Sequence, residues 1–365
     1  MKKRDGFTLI ELLAVVVILA VIALISTPLI MNIIDGAKKG ALQNTAYGIM
    51  EAIKYTYTSE IIKDGSTNFA AFSYENGVES SSVANQVLNY KGTKPKSGSI
   101  VVDKEGNTAI AIYDGKYCAE KSFEDLEVTV STKSESECQL TFASSMVVTS
   151  EVSVVEDGLV LSFDGTDFKN SPASTTWVDR SGHADATPMN FAYTTSSGSD
   201  NNGAIVFDGI DDLFTLKNPD IYSSSFTISL YVLFAEDNRD ILFGDYQLVD
   251  NIGVNFEKST SGRLRLWWGG SPDINTPNNV TPINEFCYVT VVFNKNNNTV
   301  KFYVNGVEVH KYSGALSSKT PTGQVQIGRD SRTGTTAMNG KIGNVHVYNR
   351  SLSQAEILQD YFSVK

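Results

Sequence analysis

One acid sits where lipid would punish it. Between the basic head Lys2-Lys3-Arg4 and Asp35, the run Phe7-Thr8-Leu9-Ile10-Glu11 leads into 23 uncharged residues, Leu12 to Ile34. Glu11 therefore lies at or inside the hydrocarbon boundary of a membrane-length helix. An unpaired carboxylate there costs several kcal/mol, so this side chain requires a cationic partner or a special position. Other chemistry-bearing residues are sparse. His183, His310 and His346 are dispersed, and the chain holds no H-E-x-x-H, G-x-S-x-G or phosphate-cradling G-x-x-x-x-G-K-[ST] run. It also lacks the E-x-D-x-E and E-x-D-x-x-E pairs with which sandwich-type glycoside hydrolases set two carboxyls about 5 Å apart. Cys118, Cys138 and Cys287 are divided between two regions and do not make a structural zinc site. These residue types point to assembly and binding, and to no enzyme.

The elements that position them fall into an α+β arrangement. The apolar run is too long for the core of a cleaved secretory signal. A plain single-span anchor accounts for its length but not for Glu11 or for Gly6-Phe7. The pattern predicts a helix over 7–62, transmembrane over 7–34, with an amphipathic stripe of Ala37, Ala41, Ile49, Ile53, Tyr57 and Ile61 beyond the membrane and a stop at Asp64-Gly65-Ser66. Over 63–143, Ser99–Asp103, Thr108–Tyr113 and Leu126–Val130 read as strands of a small antiparallel β head packed on the helix. Residues 144–156 hold no aromatic residue, Gly or Pro before Glu156 and read as a linker or a connecting edge strand. From 157 to 365 strand-like runs alternate with turns such as Asp208-Gly209 and Asn305-Gly306, which argues an all-β two-sheet sandwich. Cys287, between Phe286 and Tyr288, reads as a buried core residue.

The N-terminal segment, with Gly6 before Phe7, the G-F-T-L-I-E core and the lone Glu11, resembles the class III signal of type IV prepilins. The resemblance implies a leader, 1–6, removed by a prepilin peptidase between Gly6 and Phe7, followed by methylation of the new amino terminus. It also implies that Glu11 pairs with the amino terminus of a neighbouring pilin subunit, where the partner ammonium offsets the desolvation of the acid. Pro28 falls where many pilins carry a kink proline, a residue that removes one backbone bond and bends or loosens the rod. Pilins often carry a disulfide at the end of the head, which makes Cys118 and Cys138 the candidate pair. Closing about 20 residues in this way adds on the order of 3 kcal/mol. The charges flanking the span give little positive-inside bias, since Lys38 and Lys39 follow it closely. Topology therefore follows from the resemblance: a single-pass precursor in the inner (cytoplasmic) membrane, then a surface pilus with the C-terminal part extracellular.

A second resemblance covers Gly158 to Phe362. Trp177-Val178-Asp179-Arg180-Ser181-Gly182, Val206-Phe207-Asp208-Gly209-Ile210-Asp211-Asp212, Phe226-Thr227-Ile228-Ser229 and Val300–Val307 are similar, in order and spacing, to a laminin G-like domain of the concanavalin A-like lectin class. The closing run Gly340–Ser353 with Ala355-Glu356-Ile357 matches as well. Such domains bind glycans or proteins, and some hold calcium. Asp179, Asp208, Asp211 and Asp212 supply hard oxygen donors, but acids at β turns also serve as turn formers. Gly343 and Asn344 stand where relatives commonly show Asp, so no metal ligand set is assigned. Trp267 and Trp268 are the candidate sugar platforms, and strand alternation sends them to opposite faces, so at most one belongs to the core.

Formal charge is −11, and loss of Lys2, Lys3, Arg4 and Asp5 removes a net +2, leaving about −13. With no dense Lys/Arg run after Lys39, nucleic acid is not an expected partner. The expected partners are the peptidase, other pilins, the membrane and a glycan or protein ligand. The sequence thus reads as a pilin-like subunit, minor or tip-located because a large appended domain would crowd every-subunit packing, displaying a ligand-binding or adhesive domain. Its alternatives are a pseudopilin of a type II secretion or DNA-uptake (competence) system, and a membrane-tethered binding protein that never polymerises.

Overall fold

A computed structural model describes residues 8–64, 70–83, 86–103, 106–140, 152–171, 173, 175–247, 252–269, 271–316, 323–329 and 336–364. The first helix, α1, runs unbroken from Leu9 to Asp64 and passes through Pro28. Its membrane half is exposed along its length, and it is apolar and long enough to cross a bilayer. Only from Leu42 does a stripe become buried: Leu42, Ala46, Ile49, Ile53 and Tyr57, at steps of three or four residues. Ala37 and Ala41, expected in that stripe, are exposed. The bulkier Leu42, one residue on, is the first side chain within reach of the head. Asp35 fixes the exit from the span, holding Lys116 Nζ at 2.7 Å and accepting a hydrogen bond from the Tyr117 hydroxyl.

Next to α1 lies a six-stranded antiparallel sheet in the order Val78–Ser81, Ala70–Glu75, Ser97–Val102, Thr108–Tyr113, Cys118–Lys121, Thr129–Ser131. Strict alternation splits it into two faces. Phe72, Tyr74, Ile100, Val102, Ile110 and Ile112 pack on α1, while Ala71, Val101, Ala109 and Ala111 point the other way and are equally buried. The expected strand Leu126–Val130 shrinks to Thr129–Ser131, because the Asp125 carboxylate ties a turn back to the Ser122 backbone and hydroxyl, and Leu126 is 94% exposed. Cys118 and Cys138 are joined by a disulfide.

The outer domain is two antiparallel sheets face to face. One has the order Val307–Ser313, Thr299–Val304, Phe286–Asn294, Phe226–Phe234, Asn339–Tyr348, Ile205–Asp208, Gly198–Ser199, with Leu159–Asp164 pairing on the second half of Asn339–Tyr348. The other runs Ile274–Asn275, Arg263–Trp268, Ile252–Ser259, Asp240–Gln247, Gln324–Ile327, Leu213–Lys217, Thr187–Met189. Between them Ile228, Leu230, Val289, Val291, Val345 and Val347 meet Phe214, Phe243, Phe256, Leu266 and Val325, with Cys287 also enclosed. Each such side chain contributes about 1.5–3 kcal/mol by leaving water.

The outward face of the eight-stranded sheet is not solvent-facing. Tyr288, Tyr303 and Tyr348 lie beneath a second helix, α2, Gln354–Ser363, whose start is closed by a reciprocal Ser353–Glu356 capping box. Ala355, Leu358 and Phe362 of α2 meet Ala71, Val101, Ala109 and Ala111 of the head, so α2 is packed between the two domains. The Asn305-Gly306 turn, with positive φ at both residues as hairpin geometry requires, seats it closely: a Cβ on Gly306 would stand 2.5 Å from Leu358 Cδ2. Glu75 of the head bridges Lys301 at 2.7 Å and Lys311 at 3.2 Å. Residues 144–151 of the expected linker lie outside the described residues. Val152 to Glu156 are held against the domains: Val155 N donates to the buried Asp360 Oδ1 at 3.0 Å, and Val152 packs beside α2.

Candidate functional site

At the membrane end, Glu11 is satisfied locally. Its Oε2 accepts from Thr8 N and Thr8 Oγ1, both at 2.8 Å, while Glu11 N donates back to Thr8 Oγ1 at 3.3 Å. This is a capping box, and the acid also sits favourably in the first turn of the helix. Gly6 and Phe7 lie outside the described residues. Near Pro28, Thr27 Oγ1 donates to the Ala23 carbonyl at 2.6 Å, and the helix continues. Outside the span, the ammonium of Lys116 and the Tyr117 hydroxyl hold the Asp35 carboxyl below its usual range.

In the outer domain the four candidate acids do not share a site. Asp179 is a loop organiser: its carboxylate accepts from the backbone N–H groups of Ser162, Ser181, His183 and Ala184 and from the Ser181 hydroxyl, at 2.7–3.0 Å. Burial alone would raise this carboxyl, but the donors outweigh it and keep it low. Its lone pairs are spent on the protein, which removes it as a metal ligand. Asp208, Asp211 and Asp212 do converge, with one oxygen from each within 4.8 Å of the others. Asp212, however, is 1% exposed and already accepts from Ser197 Oγ and Asp208 N at 2.9 Å each. Burial first, then the neighbouring Asp208 and Asp211 charges, push its carboxyl up to about 6. The trio also organises the turn, since both Asp212 oxygens accept from the protein and Asp208 Oδ1 accepts from Ile210 N at 2.8 Å.

Trp268 is removed as a platform. It is 3% exposed and its ring stacks on Phe293 at 4.6 Å and on Phe226 at 5.5 Å inside the core. Trp267 alternates to the outward face of the seven-stranded sheet and is half-buried. Beside it the fully buried Glu257 is held by Arg239 at 2.7 Å and by Arg265, which also reaches Asp273 at 2.8 Å. That network neutralises its own charge. Among the described side chains, the face of the sandwich away from the head therefore carries Trp267 beside a charge-paired polar grid, while much of the opposite face is covered by α2 and the head.

Residues 1–27 match the family model for the prokaryotic N-terminal methylation motif, and residues 208–358 match that for the concanavalin A-like lectin/glucanases superfamily. The chain joins a pilin-type N-terminus to a concanavalin A-like domain. The pilin-like segment makes it a membrane-anchored precursor, and the domain it carries is lectin-like. No curated protein matches the chain by sequence. Among solved structures, the botulinum neurotoxin serotype D binding domain is similar at 17% identity, over 56% of this chain and 51% of that one, with a TM-score of 0.43. The chain thus spans about half the length of that relative. A Ruminococcus gnavus IT-sialidase CBM40 bound to alpha2,3 sialyllactose is similar at 18% identity over 37% and 81%, TM-score 0.33. A leech intramolecular trans-sialidase is similar at 20% over 40% and 24%, TM-score 0.34. At these scores the likenesses carry no ligand and no activity to the concanavalin A-like domain.

Sequence reasoning missed α2 as a two-sided dock, and missed Asp360, the buried acid at its centre. A signal was present for the first: the head strands read A-x-S, S-x-V and A-x-A on their second face, an apolar surface that α1 cannot reach.

Proposed function

We propose that this chain is a minor or tip subunit of a type IV pilus that presents its concanavalin A-like domain outside the cell for ligand binding or adhesion. The observation that carries the reading is the division of the sandwich: much of one sheet's outward face is covered by α2 and the head, and the other sheet faces away from them. A domain held in this way is oriented rather than tethered. On this reading the peptidase cuts between Gly6 and Phe7, the new terminus is methylated, and Glu11 exchanges its Thr8 donors for the ammonium of a neighbouring subunit. On the same reading the work of the domain is recognition, and the sequence holds no E-x-D-x-E or E-x-D-x-x-E run.

Mass spectrometry of mature material is expected to find methylated Phe7 as the first residue, and an intact Met1 would end the assignment. Glu11→Ala is expected to leave membrane insertion unchanged and to deplete the subunit from sheared filaments. Equal recovery of variant and wild type in the filament fraction would favour the membrane tether. Recovery with a secretion or DNA-uptake apparatus instead of surface fibres would favour the pseudopilin.

A further inference from the structure

We propose that a crevice on the seam between the domains binds a neutral saccharide unit through Ser162, Asn344 and His346, which lie on two neighbouring strands beside the ion-paired Asp164. The proposal rests on the ligand-binding reading of the outer domain. Antiparallel pairing sets Asn344 opposite Asp164 and His346 opposite Ser162, and alternation turns all four to the outward face of the eight-stranded sheet. Elsewhere on this face the polar groups are paired under α2: Thr290 donates to Ser229 at 2.9 Å and Tyr348 to Asp360 at 2.7 Å. The four-residue grid lies where that cover stops. A crevice of about 480 Å³ opens over it, walled by Arg180 and Ser181 on one side and by Val152, Val154 and Val364 on the other. That volume falls within the range of small-molecule sites.

The grid has hydrogen-bonding capacity that the protein does not use. Ser162 is 6% exposed and His346 5%. Among the described residues the Ser162 hydroxyl and the Asn344 amide have no partner, and His346 engages only through Nδ1, 3.3 Å from the Tyr288 hydroxyl. These polar atoms open onto the crevice rather than being sealed in the core, so their unused capacity is presented to a ligand. Three such groups side by side in an open crevice are a surface complementary to something that both donates and accepts. Vicinal hydroxyls do both, and the valine wall suits the C–H face of a sugar ring.

Charge excludes an anion. Arg180 lies 2.8 Å from Asp164 and pairs with Asp167 as well, and Glu156 at the rim adds a further negative charge. Burial pushes His346 down to about 4, so it is uncharged at neutral pH. The wall bearing Arg180 and Ser181 is fixed by the five hydrogen bonds to Asp179, so little ordering is left to be done on binding.

The test uses the full chain in detergent, screened against neutral mono- and disaccharides by saturation-transfer NMR and then titrated with the best binder. Asn344→Leu, which fills the crevice with a branched apolar group, is expected to weaken binding at least about tenfold, while Trp267→Ala stays within about twofold. Arg180→Ala, at a half-exposed wall position, is the second arm and is expected to weaken binding with an unchanged melting point. Wild-type affinity in both Asn344→Leu and Arg180→Ala overturns the site and leaves the ligand-binding reading standing. Loss in Trp267→Ala alone moves the site to the other sheet and also overturns the proposal. Tighter binding of sialylated than neutral sugars overturns the ligand class, and no saccharide binding by the wild type overturns the site and the glycan reading together.

Discussion

The two helices serve one sheet in opposite ways. α1 brings large side chains to large side chains: Ile49, Ile53 and Tyr57 against Phe72, Ile100 and Ile112. α2 meets a strand face of Ala71, Ser73, Val101, Ala109 and Ala111, with Leu140 and Phe123 packed beside it. A small-residue face admits a helix closely, and every added methylene is felt because close-packed interiors have no slack. The first helix is held by interlocking large side chains, the second by close approach. The head is therefore complete only when the far end of the sandwich returns to cover it.

The comparison is broken most readily through matched truncations. Leu358→Ala on α2 and Ile53→Ala on α1 each remove a fully buried side chain and are expected to cost about 2–5 kcal/mol. Both are expected to lower one shared thermal transition. If Leu358→Ala lowers only a separate sandwich transition, the head does not depend on α2. The disulfide comes next. Cys138 precedes Leu140, which packs on the α2 side, so Cys118→Ser with Cys138→Ser is expected to cost about 3 kcal/mol, read by denaturant midpoint. Amide exchange is then expected to rise on the α2 face more than on the α1 face.

A smaller effect comes from Ser73, whose hydroxyl accepts from Ala355 N at 3.2 Å; Ser73→Ala is expected to cost about 1 kcal/mol. The last prediction concerns pH. Burial raises the Asp360 carboxyl from 3.8 to about 7, so the folded chain holds a proton that the unfolded chain has lost, and this contribution to stability falls as pH rises from about 4 to about 7. His346, pushed down to about 4, works in the other direction: the unfolded chain binds the extra proton below 6.5, so its contribution grows as pH rises through the same window. Asp360→Asn isolates the second slope. Urea titrations of the two proteins are expected to show the wild type losing ground to the variant between pH 4 and 7. A parallel pair of curves would mean that Asp360 does not change its protonation there.

Much of the architecture was legible because it is written in local periods. The 3.6-residue stripe and the uninterrupted apolar run define α1, while two-residue alternation and Asn-Gly or Asp-Gly turns define the sandwich strands. Thr108–Tyr113 is read at its observed bounds. What could not be read depends on partners distant in sequence. Ala355-Glu356-Ile357 looked like the tail of a domain, and only the fold shows its Leu358 neighbour against Ala71, more than 280 residues away. Asp179 has the type and turn context of a ligand, yet its oxygens are consumed by the backbone N–H groups of Ser181, His183 and Ala184 in its own loop and of Ser162 on a neighbouring strand, a closure that residue type alone does not reveal. Trp267 and Trp268 had to face opposite ways, but which one met Phe293 depended on the register of its strand. Residues 152–156 carried no turn or core signal, and it is Asp360 that fixes them.

The hydrogen bond from Val155 N to Asp360 Oδ1 ties the entry of the outer domain to its closing helix, α2, so both lie side by side on the sandwich. Such a domain can be exchanged as a cassette, since both seams lie together. The exchange is constrained, however, because a replacement without its own closing helix would leave Ala71, Val101, Ala109 and Ala111 bare to water. Diversification of the displayed domain would therefore have to carry the stretch 152–364 as one heritable block.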